Sequence, residues 1–111
     1  MKIGIVGCGL NSDYHINFAR AYPGAEIVGV VDRDELKIRK CMDRFGIEKS
    51  FQNISELISQ GKPDVIHIVT PPTTHLALAK QSIEGGCNVL IEKPMALSLD
   101  EGKDLFALAE E

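Results

Sequence analysis

The chain has 111 residues, 44% hydrophobic and 25% charged, with a formal net charge of -4; such a chain can bury about two-thirds of its unfolded surface, which excludes a disordered tail. Its 12 Lys and Arg are scattered among 16 Asp and Glu, without the basic stripe that nucleic-acid binding requires. No apolar run approaches the roughly 20 residues of a membrane span, and the start, MKIGIVG, lacks a signal peptide's uninterrupted apolar core and cleavage site, so a cytoplasmic location is expected.

In chain order, short aliphatic runs alternate with helical spacing. KIGIVG (2–7), EIVGVVD (26–32), DVIHIVT (64–70) and NVLIE (88–92) are nearly continuous apolar stretches, as expected of parallel strands covered on both faces, and a weaker strand is expected near Ser50 and Phe51. Between them, Phe18, Ala19 and Tyr22 recur at helical spacing, Leu36, Arg39, Lys40 and Asp43 follow it on a polar face, and Leu76, Ala79 and Ile83 repeat it. Asn53 with Glu56, and Ser98 with Glu101, have capping-box spacing and mark helix starts. Gly24, Gly46 and Gly85-Gly86 mark stops. Pro63 and Pro71-Pro72 bracket one strand, since proline cannot sit inside a central one.

Right-handed crossovers then predict an α/β fold, a Rossmann-type doubly wound parallel sheet of order 3-2-1-4-5 occupying residues 1–111 as one domain. The chain closes on LSLDEGKDLFALAEE without a further strand. A six-stranded sheet needs one more, so the chain reads as a fragment truncated before the sixth strand, with its fifth strand left as an edge that invites pairing or dimerisation.

Ligands in such sheets bind where strand order reverses, at the carboxyl ends of the first and fourth strands. There the sequence reads GIVGCGLNSDYH. Gly7 permits a tight turn, Gly9 lets a pyrophosphate meet bare backbone, and a helix opening near Leu10 and Asn11 aims free N–H groups at the anion. The third fingerprint position holds Ser12 in place of glycine or alanine, which widens the helix-to-strand contact and weakens the match. Asp32 follows 20 residues after Ser12, at the end of the second strand, placed to accept hydrogen bonds from the adenosine ribose. A carboxylate there favours NAD over NADP; adjacent Arg33, able to lie over adenine or pair with a phosphate, leaves NADP possible. The plainer readings are a structural turn and a solvated strand-end carboxylate.

Two further loops reach the same crevice. TPPTTH, Thr70 to His75, leaves the fourth strand; Pro71 and Pro72 stiffen it and Thr73 or Thr74 can cap the next helix. From spacing alone His75 is better read as a first-turn residue without chemistry. IEKPM leaves the fifth strand, where Glu92 and Lys93 form either a pair beside a bound nicotinamide or an ordinary surface ion pair. Cys8, Cys41 and Cys87 are odd in number and lack CxxC spacing, so they read as free thiols and no metal is expected. Cys41 and Cys87 are expected in the core and Cys8, in the glycine turn, is expected to be the exposed, reactive one.

Together, GIVGCGLNSDYH, VVDRD, VIHIVTPPTTHLALA and NVLIEKPMALS resemble, in order and spacing, the glucose–fructose oxidoreductase, inositol dehydrogenase and MocA family, over all 111 residues. The match covers only the amino-terminal cofactor domain, roughly the first third of a usual member. The resemblance implies NAD- or NADP-dependent hydride transfer to or from a sugar, polyol or related hydroxy compound. It implies cofactor contacts from Gly7, Gly9, Asp32, Pro71, Pro72 and His75, and assigns Lys93 of the EKP motif to the accompanying proton movement. His15 matches a histidine frequent in the first helix of members, with helix packing as its other reading; His67 reads as a core residue without a role. Family members take their substrate and acid/base groups from a second α/β domain that this chain lacks, so cofactor binding without turnover is expected, with homo-oligomerisation possible. Two other readings are a stand-alone nucleotide-binding or redox-sensing module and a coenzyme A binder, the latter disfavoured by Asp32 beside a 3′-phosphate.

Overall fold

The computed structural model describes residues 1–9, 12–91, Lys103 and Ala107. Five parallel strands, β1 (Lys2–Val6), β2 (Glu26–Val31), β3 (Ser50–Phe51), β4 (Val65–Ile68) and β5 (Asn88–Ile91), form one sheet of order β3-β2-β1-β4-β5. The helices are α1 (Ser12–Ala21), α2 (Glu35–Phe45), α3 (Ile54–Glu56), which runs on into a π-helical turn Leu57–Gly61, and α4 (His75–Glu84), preceded by a 3₁₀ turn Pro72–Thr74. This is the expected Rossmann-type order; β1, β2, β4 and β5 lie within the four apolar runs, and β3 falls at the weaker Ser50–Phe51 position.

The aliphatic runs have no polar alternation because both faces of the sheet are covered. Ile3, Ile5 and Val30 face Ile16 and Ala19 of α1 and Cys41 of α2 on one side. Val6, Val31, Ile66 and Ile68 face Ile54, Leu57 and Ala79 on the other. The register sets Ile5 beside Val30 and His67, and His67 beside Leu90.

Helix ends follow the local chemistry. Asn53 Oδ1 accepts from the Glu56 N–H at 2.9 Å, as its spacing implied. Gly46 closes α2 with φ 65°, its N–H bonded to the Met42 carbonyl. The second expected capping box, Ser98 and Glu101, lies outside the described residues.

Of the helically spaced triplet Ala19 is buried, whereas Phe18 and Tyr22, the latter just past the end of α1, are more than half exposed and meet edge to face, centroids 5.3 Å apart. One expectation needs correction. Thr74 does occupy the N-cap of α4, but its hydroxyl donates backward to the Pro71 carbonyl at 2.7 Å and caps no helical N–H.

Candidate cofactor site

The crevice is built where β1, β2 and β4 end side by side. The Gly7 N–H donates to the Val31 carbonyl at 2.7 Å, and the Val69 N–H to the Val6 carbonyl at 2.8 Å, so the glycine turn is fastened to the ends of both neighbouring strands. Gly7 has φ 105°, and a Cβ there would lie 2.8 Å from the Val69 carbonyl. Only glycine fits both the backbone geometry and the close approach of the β4 exit. Gly9 differs, since a Cβ on it would meet nothing within 4 Å. Its outer face is open, the room a diphosphate needs to reach bare backbone.

Asp32 is tied into this turn. Its Oδ2 accepts from the Cys8 N–H at 2.7 Å and its Oδ1 from the Asp34 N–H at 2.9 Å. Two backbone donors hold the half-buried carboxylate in place, while each oxygen keeps acceptor capacity for a hydroxyl. Sequence spacing placed Asp32 at the strand end but could not show that the residue between the two glycines anchors it. Arg33 is exposed next to it. Ser12 is fully buried, and its hydroxyl donates to the Gly9 carbonyl at 2.6 Å, so the serine at the third fingerprint position braces the turn.

On the opposite lip, the loop after β4 is held by a relay of side chains. The single Thr74 hydroxyl proton goes to Pro71, so in the 2.5 Å contact between the Thr70 and Thr74 hydroxyls Thr70 is the donor. His75 is fully buried, and its Nε2 lies 2.7 Å from the Thr70 carbonyl, which can only accept; Nε2 therefore carries a proton. His75 thus supports the Thr70–Pro71 backbone from within, and Pro71 and Thr73 are exposed. Leu10, Asn11, Glu92 and Lys93 lie outside the described residues, and Pro72 opens the 3₁₀ turn.

Cys8 overturns the expectation of an exposed thiol. It is buried, with its sulfur 4.0 Å from the Val31 carbonyl and its side chain packed with Ile16, Ala19 and Cys41. Its N–H goes to Asp32 while its side chain lies in the core layer shared with α1 and α2. Cys41 and Cys87 are buried as expected. His15 and His67 meet across the α1–β4 contact, Nδ1 to Nδ1 at 3.1 Å with rings edge to face. Burial, reinforced by the neighbouring His15, lowers the His67 pKa to about 4. Among the described residues no cluster of His, Cys, Asp or Glu could hold a metal, and no helix is long and apolar enough to cross a membrane.

A family model described as an oxidoreductase family, NAD-binding Rossmann fold (GFO_IDH_MocA) matches residues 1–111. Glucose-6-phosphate 3-dehydrogenase of Bacillus subtilis is 35% identical over 109 residues, covering 98% of this chain and 30% of that protein. D-apiose dehydrogenase of Paraburkholderia graminis is 30% identical over 109 residues, covering 98% of this chain and 29% of its own. An oxidoreductase from Agrobacterium radiobacter, solved with NAD+, L-tartaric acid and magnesium, superposes with a TM-score of 0.93 at 27% identity, over 99% of this chain and 32% of that one. The chain thus spans about a third of the length of the proteins it matches.

Proposed function

The chain belongs to the GFO_IDH_MocA oxidoreductase family as its NAD-binding Rossmann domain, and from that premise we propose that it is the cofactor half of a dehydrogenase acting on a sugar, polyol or related hydroxy compound. The observation that carries the reading is the join between Gly9, open to a ligand, and Asp32, fixed by the Cys8 and Asp34 amides. The first receives the diphosphate and the second the adenosine ribose. The Thr70–Pro71 lip, braced by His75 and Thr74, borders the nicotinamide end. When bound, NAD supplies the hydride acceptor.

In this proposal the chain's own groups bind and orient, and Lys93 holds or moves a proton at its Nζ beside the nicotinamide, with Glu92 as its neighbour. Hydride transfer further requires a substrate held about 3–3.5 Å from the cofactor with an acid/base in reach. Those groups belong to a substrate domain, so the 111-residue chain binds cofactor and does not turn over. Sugar dehydrogenases among the relatives support the substrate class.

Calorimetric titration with NADH and NADPH tests the reading. NADH is expected to bind more tightly, and Asp32→Asn to weaken it about tenfold, the worth of one charged hydrogen bond to the ribose. Equal NADH affinity in the variant, or tighter NADPH binding by the parent chain, would overturn the assignment of Asp32. Steady NADH production from a polyol by the isolated chain would overturn its assignment as the cofactor half.

A further inference from the structure

We propose that the outer face of α1 is an interface between two copies of this chain, an aromatic ridge of Tyr14, Phe18 and Tyr22 that packs on its own counterpart about a two-fold axis at Phe18. Ser12, Ile16 and Ala19 turn the opposite face of α1 into the core. The three rings follow at intervals of four residues and are 79%, 59% and 54% exposed; Tyr22, one position past the helix end, meets Phe18 edge to face at 5.3 Å. They are three of the six large hydrophobic side chains exposed among the described residues, so the exposure is gathered on one face and not scattered.

The ridge carries no charge. Asp13 is drawn to Arg44 of α2 at 2.6 Å, and the Arg20 guanidinium lies over the Phe45 ring, 5.6 Å from its centroid and bonded to the Phe45 carbonyl, so both charged side chains of α1 are held toward α2. On a chain of net charge -4, two copies repel over most of their surface and can meet along this uncharged strip. Leu90 of β5, 45% exposed, adds apolar surface on α1's side of the sheet, in register with the His67 that meets His15.

The spacing selects the occupant. Because Tyr14 and Tyr22 stand four residues to either side of Phe18, an antiparallel pair sets Phe18 against Phe18, and Tyr14 of each copy against Tyr22 of the other, the self-complementary pattern that a two-fold interface requires. Asn17 and Ala21, short and exposed, form the groove beside the ridge in which the other copy's ridge seats. With about 200 Å² per aromatic side chain, the exposed parts of the three rings amount to about 400 Å² a copy and about 800 Å² for the pair; Asn17, Ala21 and Leu90 carry the contact to about 1,000 Å², the lower bound of a specific interface. Dimerisation should therefore be reversible, with a Kd on the order of 10–100 μM.

Sedimentation velocity of the 111-residue chain, at concentrations bracketing that Kd, is expected to show monomer passing to dimer and no larger species. Phe18→Lys, which sets two like charges on the axis, should weaken the dimer at least about tenfold, while its urea midpoint in dilute solution stays that of the parent. Tyr14→Lys and Tyr22→Glu should each weaken the dimer, and the double variant should recover part of the loss, because the two new charges attract across the axis. A chain that stays monomeric leaves the ridge to another occupant and overturns the proposal. So would a dimer indifferent to Phe18→Lys, as one paired through the β5 edge would be, open-ended growth, or a double variant no tighter than either single one.

Discussion

At the scale of single residues, the two glycines of the turn do different work, and substitution separates them. Alanine at Gly7 must adopt φ 105° and place its Cβ 2.8 Å from the Val69 carbonyl, a backbone group that cannot swing aside. Gly7→Ala should cost about 2–4 kcal/mol in chemical denaturation. Alanine at Gly9 meets nothing, so Gly9→Ala should hold stability within about 0.5 kcal/mol while weakening NADH at least tenfold, because its methyl occupies the ligand's place. Loss of stability at Gly9, or unchanged affinity there, would contradict the cradle. The spacing of the glycines was legible in the sequence. Their division of labour was not, because what distinguishes them is the exit of β4, 62 positions after Gly7.

At the scale of elements, caps set where the site's walls begin. The Asp34 Oδ1 accepts from the Leu36 N–H at 2.9 Å and the Lys37 N–H at 3.4 Å, opening α2, while its own N–H goes to Asp32. Asp34→Ala should destabilise the chain by about 1 kcal/mol, the usual worth of an N-cap, and keep the Asp34 N–H bond to Asp32. NADH affinity should therefore change less than threefold in the titration that reads Asp32→Asn. The five strands and their order could be read from aliphatic runs and right-handed crossovers, because a sheet buried on both faces has an unambiguous composition. Thr74 shows where such reading stops: it occupies the cap position, but Pro71 and Thr70 claim its hydroxyl, a competition fixed by the folded loop. Cys8 makes the same point from the other side. A turn residue is ordinarily exposed, yet Cys8 is buried in the layer beneath α1 and α2 while its N–H reaches Asp32.

At the scale of the whole molecule, the seam between α1 and β4 makes stability depend on pH. His67 is 5% exposed, between Ile5 and Leu90 on the neighbouring strands, and its pKa is lowered to about 4 by burial first and by His15 second. In the unfolded chain an ordinary imidazole titrates near 6.5. Above that pH the ring is neutral in both states and contributes no pH dependence. As pH falls toward 4 the unfolded chain takes up a proton that the folded chain refuses, so stability declines. By pH 5, where carboxylates remain ionised, the loss from His67 should be about 2 kcal/mol relative to pH 7.5. His67→Val suits a buried strand position and removes the titrating ring, so its urea midpoint should fall less across the same interval. An equal fall in parent and variant would mean that the ring takes up its proton without resistance inside the fold. The α1–β4 contact would then be indifferent to charge.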